Sequence, residues 1–394
     1  MKAITTNISW FSSFLIALIL LVSCNDRKES QSSSAQSDSV SVHFAADTLM
    51  PVAASRESVT FILGEDKSSE NPYYAEATKY FSSESQEKTL HLVTSCRSLV
   101  EVRQYLVKHA PANQLPWGRI NLVSHGDQWL GLSVKVTPDS RRTTLERLQE
   151  FIDAGTFNPL PDSLIDKNTE IALHACGIGN NKAFVETFGN VFKSKSAVPH
   201  VIAPRLFEFF STVNQGESGR YQAKVWMVPY KKDEKPGDII LCNLLHEEYP
   251  DENINWQDAL TRTQPRFAGD TYHYTFDIPV NLIINLSAND SLPELSSTEK
   301  ILHWIDQQPE INHILSKIQI PAELFSWNLK KGFSKNKDGK RCVAISVKGF
   351  CTVLCILKPL VEKTSTASNQ PFMPATNDTA YFYTVKGKTL NIKS

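Results

Sequence analysis

The sequence predicts an α/β fold built on a mostly parallel sheet. From residue 57 onward, short apolar runs alternate with stretches whose apolar residues recur at helical spacing, the pattern of βα units. The runs stop at glycine or polar residues, and capping signals stand ahead of several helical stretches. At 394 residues and 41% hydrophobic, the chain is long enough for one large or two medium domains with real cores. A formal net charge of -1, with no basic stripe, argues against nucleic acid as a partner.

The elements follow in order. Val59 to Leu63 reads as the first strand, ending in Gly64, Glu65 and Asp66, and Tyr73 to Phe81 as a helix. The second strand runs from Thr89 to Thr94 and ends at Ser95 and Cys96. Ser98 with Glu101 forms a capping box, Leu99, Val102 and Leu106 give the next helix one apolar face, and Pro111 stops it. The third strand is Ile120 to Val123, leading into Ser124, His125 and Gly126. Trp129 to Val136 looks like a hairpin arm or edge strand. Thr143 with Glu146 repeats the capping box, with Leu145, Leu148, Phe151 and Ile152 as the apolar face. The fourth strand, Glu170 to His174, leads into Ala175, Cys176 and Gly177, and Asn180 or Asn181 caps a helix from Lys182 to Phe192. His200 to Ala203 and Tyr221 to Tyr230 read as a fifth and a sixth strand, which completes a domain over residues 57–245. Residues 246–394 read as a smaller accessory α+β domain: a strand from Tyr272 to Leu286, helix from Ser297 to Ile318 broken at Pro309, and β structure around a turn at Lys337, Asp338 and Gly339.

The N-terminus is a targeting segment. Lys2 precedes an apolar run from Ile8 to Val22 that is short for the roughly 20 residues of a membrane-spanning helix. Leu21, Val22, Ser23 and Cys24 resemble a bacterial lipobox, which makes residues 1–23 a lipoprotein signal peptide and Cys24 the lipidated residue; an ordinary signal peptide or short anchor is the alternative. Residues 24–56, rich in Ser, Asp and Gln near their start, suit a polar tether. The expected location is a bacterial cell envelope, lipid-anchored, with the outer membrane the expected membrane. Of the seven cysteines, Cys342, Cys351 and Cys355 lie close enough in sequence for one late disulfide.

The chemistry gathers at two strand ends. In a parallel sheet, catalytic groups collect at the carboxyl ends of strands. If the strand order is 2-1-3-4, the strands ending in His125 and Cys176 are neighbours about 4.8 Å apart. A thiol of depressed pKa beside a base is what nucleophilic cysteine catalysis needs. The backbone N–H groups of Gly126 and Cys176 are candidates for an oxyanion hole, and the helix beginning near Asn181 would aim partial positive charge at a thiolate. Glu65 and Asp66 are candidates to orient His125, against their bland reading as turn residues. In that order Cys96 lies about 10 Å from the pair, which favours a buried free thiol over a disulfide with Cys176. A metal site from Cys96, His125, His174 and Cys176 has acceptable ligand types but no recognised spacing, so no metal or cofactor is expected.

An apolar run ending in His125-Gly126, followed about fifty residues later by one ending in Ala175-Cys176, resembles the caspase-like cysteine peptidases over residues 57–245. The resemblance implies a three-layer αβα sandwich with Cys176 as nucleophile and His125 as the acid/base that protonates the leaving amine. It also places His174, two residues before the nucleophile, in the pocket for the substrate side chain that precedes the cut. Relatives specific for basic side chains carry an acidic residue there, so His174 is a departure; Glu208 would supply an acidic wall, or Arg205 a contact for an acidic substrate. The expected function is an envelope-anchored cysteine endopeptidase acting on peptide or protein substrates. A caspase-like binding or scaffold lipoprotein without activity is the alternative, and a thiol-redox protein a third reading that needs a partner cysteine near Cys176.

Overall fold

Parallel strands buried on both faces are apolar almost without interruption, and the strands around His125 and Cys176 have that character. The computed structural model describes residues 56–390 apart from 68, 70, 85–89, 214–216, 266–268, 287–295, 336–338 and 362–379. The signal peptide, Cys24 and the tether up to residue 55 lie outside the described residues, as does most of the turn expected at Lys337 to Gly339. Among the described residues no helix is long and apolar enough to cross a membrane.

The elements in chain order are β1 (Ser58–Ile62), α1 (Tyr73–Glu84), β2 (Leu90–Val93), α2 (Leu99–Lys108), β3 (Arg119–Val123), β4 (Gly126–Asp127), β5 (Gly131–Lys135), β6 (Arg142–Thr143), α3 (Leu145–Asp153), β7 (Glu170–His174), α4 (Lys182–Phe188), β8 (Ala197–Val198) and β9 (His200–Pro204). There follow β10 (Phe207–Val213), β11 (Glu217–Lys231), α5 (Asp238–Glu248), α6 (Trp256–Thr261), β12 (Tyr272–Asn285), α7 (Thr298–Asp306), α8 (Pro309–Ile318), β13 (Ser326–Lys335), β14 (Arg341–Val361), β15 (Phe382–Val385) and β16 (Lys388–Thr389).

A six-stranded sheet runs β15-β9-β7-β3-β1-β2, in which β2, β1, β3, β7 and β9 are parallel and β15 is antiparallel at one edge. The chain is therefore mixed α/β with a mostly parallel central sheet. Helices lie on both faces: Leu99, Leu106, Leu148, Phe184 and Phe188 of α2, α3 and α4 join one core with Phe61, Leu122 and Leu173. On the other face, Tyr73, Ala77 and Phe81 of α1 pack on Ile62 and Val123.

Local signals placed most helix starts. The Ser98 hydroxyl accepts the Glu101 N–H at 3.3 Å while the Glu101 carboxylate accepts the Arg97 N–H at 2.7 Å, a capping box shifted by one residue on its return bond. Asn181 caps α4, accepting from Phe184 N–H at 3.0 Å. At α3 the expectation was one residue off. Thr144 is the cap, accepting from Arg147 N–H at 3.2 Å, because Thr143 is drawn into β6, where its hydroxyl donates to the Val134 carbonyl at 2.7 Å.

The second half of the chain departs from the expected division. The stretch Tyr221 to Tyr230 is not the sixth strand of the parallel sheet; it lies in β11, within an antiparallel sheet ordered β10-β11-β14-β12, with β13 also paired to β14. Its residues alternate between two apolar faces. Ala223 points into one core with Val353 and Leu357, while Trp226, Val228 and Tyr230 pack with Leu241, Leu245 and Trp256 of α5 and α6. The sixth place in the parallel sheet is taken by β15, with Phe382 opposite Pro204. The boundary expected at residue 245 falls inside α5, and strands from either side of it pair, β11 with β14 and β9 with β15. Residues 246–394 are thus woven into the fold, and the described residues belong to one compact unit, Ala53–Ser394.

The late disulfide does not form, and Cys342, Cys351 and Cys355 are free thiols. All three stand on β14, where a strand rising about 3.4 Å per residue separates them by more than a disulfide spans. Cys96 is a buried free thiol.

Candidate active site

Three strand ends and the first turn of a helix build the site. β3 and β7 pair in parallel with Val123 opposite His174, and the ladder continues as Ser124 N–H donates to the His174 carbonyl at 3.1 Å. His125 and Cys176 each follow two residues after this last pair, at the same end of neighbouring parallel strands, and His125 has already left the ladder: its N–H donates to the Tyr74 hydroxyl and its carbonyl accepts from Ser133 N–H. Val123 and His174 face α1, and alternation along a strand gives His125 and Cys176 that face too. Gly126 follows in β4, the start of a small antiparallel sheet β4-β5-β6. A Cβ at Gly126 would stand 3.0 Å from the Ala175 Cβ and 3.0 Å from Leu132 Cδ2, so packing against the neighbouring strand end is itself a reason for glycine here.

The His125 ring is held by aromatic residues. Tyr73 stacks on it with ring centroids 4.6 Å apart, and Tyr74 meets it edge-on at 4.7 Å. The Tyr73 hydroxyl donates to the His174 carbonyl at 3.0 Å, and the Tyr74 hydroxyl accepts the His125 backbone N–H at 2.9 Å. Burial pushes the His125 pKa down, opposed in part by Asp66 and aided by Lys67 and Arg142, so the imidazole is neutral at pH 7. Glu65 and Asp66 do not hold the ring. Asp66 accepts the Tyr74 and Ala75 N–H groups at 3.0 and 2.8 Å at the start of α1, and Glu65 pairs with Arg97 at 2.5 Å.

Cys176 donates its thiol proton to the Glu208 carbonyl at 3.2 Å, and no hydrogen bond joins it to the His125 ring. Burial, together with the nearby charges of Glu208 and Asp127, pushes this thiol up to about 12 despite the opposing pull of hydrogen bonds to the sulfur. The depressed pKa expected from the helix beginning near Asn181 is therefore not realised. α4 is short, a 3-10 turn at Ile178–Asn180 stands between it and Cys176, and desolvation dominates.

His174 and Glu208 do come together, but not as walls of an open pocket. His174 Nδ1 lies 2.6 Å from Glu208 Oε1, and both side chains are fully shielded from solvent. Arg220 Nη1 donates to Glu208 Oε2 at 3.1 Å, also fully shielded. On the far side of the ring, His174 Nε2 meets the Asn121 amide at 3.3 Å, and Asn121 contacts Thr60 Oγ1 at 2.9 Å. Burial lowers the His174 pKa, so the neutral ring is favoured. The Asn121 amide oxygen faces Nε2 while its NH2 group donates to the Thr60 hydroxyl, so a neutral ring donates either Nδ1–H to Glu208 or Nε2–H to Asn121, and only the imidazolium donates to both. Burial pushes the Glu208 carboxyl up, yet the His174 and Arg220 interactions outweigh it and leave the carboxyl below its usual range. Arg205 is drawn to the sheet edge instead, its guanidinium 5.9 Å from the Tyr383 ring centroid.

Sequence reasoning missed Tyr73, Tyr74, Asn121 and Arg220. The tyrosine pair opening α1 was a usable signal; Asn121 is one polar residue in an apolar run, and nothing local in the sequence marks Arg220. Among the described residues no three His, Cys, Asp or Glu side chains converge as a metal ion would require, and Cys96, His125, His174 and Cys176 form no such group. No family model matches the chain, and neither does any curated protein or solved structure at a significant level.

Proposed function

We propose that this chain is a cysteine hydrolase of caspase-like type, with a three-layer αβα core, that cleaves peptide bonds with Cys176 as nucleophile and His125 as the acid/base. The observation that supports the reading is the register of β3 and β7, which ends with Val123 opposite His174 and so leaves the segments carrying His125 and Cys176 at the carboxyl ends of neighbouring parallel strands. Cys176 gives its thiol proton to the neutral His125 as the sulfur attacks the carbonyl carbon, the Gly126 and Cys176 N–H groups receive the oxyanion, the His125 imidazolium returns that proton to the departing amine, and water then hydrolyses the thioester, releasing the acid and restoring the thiol. Cys24 carries the lipid that anchors the protein in the envelope, so its substrates are peptides or proteins met there. Incubation with a mixed peptide library tests the activity: the wild type generates new N-termini, while Cys176→Ala and His125→Ala do not. Hydrolysis that persists in Cys176→Ala refutes the assignment.

A second reading has its own support. The thiol is bonded to a backbone carbonyl, protonated at neutral pH and apart from the imidazole, which suits a caspase-like binding or scaffold lipoprotein. Absence of any cleavage by the wild type, with Cys176 reachable by a small alkylating reagent, favours that reading.

A further inference from the structure

β10 is an edge strand of the antiparallel sheet that also packs against the parallel one. Its even residues face the parallel sheet, where Glu208 meets His174 and Phe210 packs with Tyr73 and Phe81. Its odd residues, Phe207 and Phe209, face the core of the antiparallel sheet. On that side β12 presents Tyr272, Tyr274 and Phe276, with Tyr274 6.2 Å from Phe207 and 5.8 Å from Phe276, centroid to centroid. Cys176 packs against this aromatic-rich core. The Phe207 ring also stands 3.1 Å from where a Cβ would sit on Gly177, beside the thiol. From the opposite direction the loop between β4 and β5 brings Trp129, whose ring lies 5.5 Å from Phe276. Asp127 shapes that loop by accepting the Trp129 and Leu130 N–H groups at 2.9 and 2.6 Å.

We propose that the antiparallel sheet is a built-in cover that restricts access to Cys176, with the Glu208 carbonyl holding the thiol proton and the Trp129–Phe276 contact narrowing the approach between the β4–β5 loop and β12. This rests on the reading of Cys176 as the nucleophile. Cys176 is partly buried, and a peptide chain seats at the sulfur when the loop and β12 part, which exposes the thiol further; the wild type therefore turns over slowly and the opened protein faster. The high thiol pKa fits the closed state: at about 12, roughly 1 molecule in 10,000 carries the thiolate at pH 8, and return toward the ordinary value near 8.5 raises that fraction by more than about 100-fold.

The test is the rate at which iodoacetamide alkylates Cys176 at pH 8 in the intact protein, read by peptide mapping. Trp129→Ala and Phe276→Ala, with Trp129→Leu and Phe276→Leu as milder forms, remove the closing contact. Leu241→Ala opens a cavity in the core on the opposite face of the antiparallel sheet, where Leu241 is fully buried, and controls for general loosening. The expected result is labelling at least about tenfold faster in the Trp129 and Phe276 variants that retain a cooperative melt, with Leu241→Ala within about twofold of wild type. Wild-type labelling as fast as that of an unfolded Cys176 peptide, equal acceleration by Leu241→Ala, or folded Trp129 and Phe276 variants that label no faster would each overturn the cover. Peptide hydrolysis separates the two claims. Faster labelling without hydrolysis in Trp129→Ala leaves the cover standing and sinks the hydrolase reading, whereas hydrolysis without faster labelling does the reverse.

Discussion

Glu208→Gln probes the charge cluster beneath the candidate site. The Arg220 guanidinium and the His174 ring are fully shielded from solvent, and both bond to the carboxylate that this change neutralises. Glutamine retains a carbonyl oxygen for one of them but supplies no charge, so Arg220 loses its buried ion pair with Glu208. Uncoupling a buried ion pair in this way costs about 3–5 kcal/mol. An unfolding entropy of about 2.1 cal/mol/K per residue comes to about 0.7 kcal/mol/K for a unit of roughly 340 residues, so the melting temperature should fall by about 4–7 °C. Scanning calorimetry at pH 7.5 measures it. The paired change Glu208→Leu with Arg220→Met should recover part of the loss, since apolar replacement of a whole buried pair is often neutral, and a double-mutant cycle should return at least about 1 kcal/mol of coupling. A fall of less than about 1 °C in Glu208→Gln would refute the claim that this cluster is a dry, interdependent unit.

Two further outcomes follow from the same geometry. Burial holds His125, His174 and His200 below the ordinary imidazole range, and a depressed folded-state pKa contributes stability that is fully present above the unfolded value near 6.5 and is lost as pH falls toward the folded value. Each of the three should therefore subtract up to about 1.4 kcal/mol per pH unit below that point, and a urea midpoint at pH 5.5 equal to that at pH 7.5 would contradict it. Asn181→Ala removes both the cap on Phe184 and the bond to the Gln128 carbonyl, each 3.0 Å long, and should destabilise by about 1–2 kcal/mol in urea titration; a loss under about 0.3 kcal/mol would show that neither bond matters.

Much of the parallel sheet was readable residue by residue. The runs at β1, β3, β7 and β9 are buried along nearly their whole length, so their apolar content is continuous and their ends fall where polar residues and glycine begin. Capping residues such as Ser98 and Asn181 act through bonds to residues three along the chain, and such short-range bonds leave a mark in the sequence. That the runs leading to His125 and Cys176 are neighbouring parallel strands was readable for the same reason.

What the sequence by itself determined, then, was the class of the central sheet and most of the helix starts. Only the tertiary structure decided that β11 leaves that sheet, that β15 replaces it, and that a core including residues beyond 245 packs beside the thiol. It also decided the state of the site itself. Tyr73 on His125, the Glu208 carbonyl on Cys176, and the line from Arg220 through Glu208 and His174 to Asn121 all join residues distant in the chain. Periodicity reports which side of an element is buried but carries no record of which distant element covers it, and burial by that element is what fixes the protonation of Cys176 and His174.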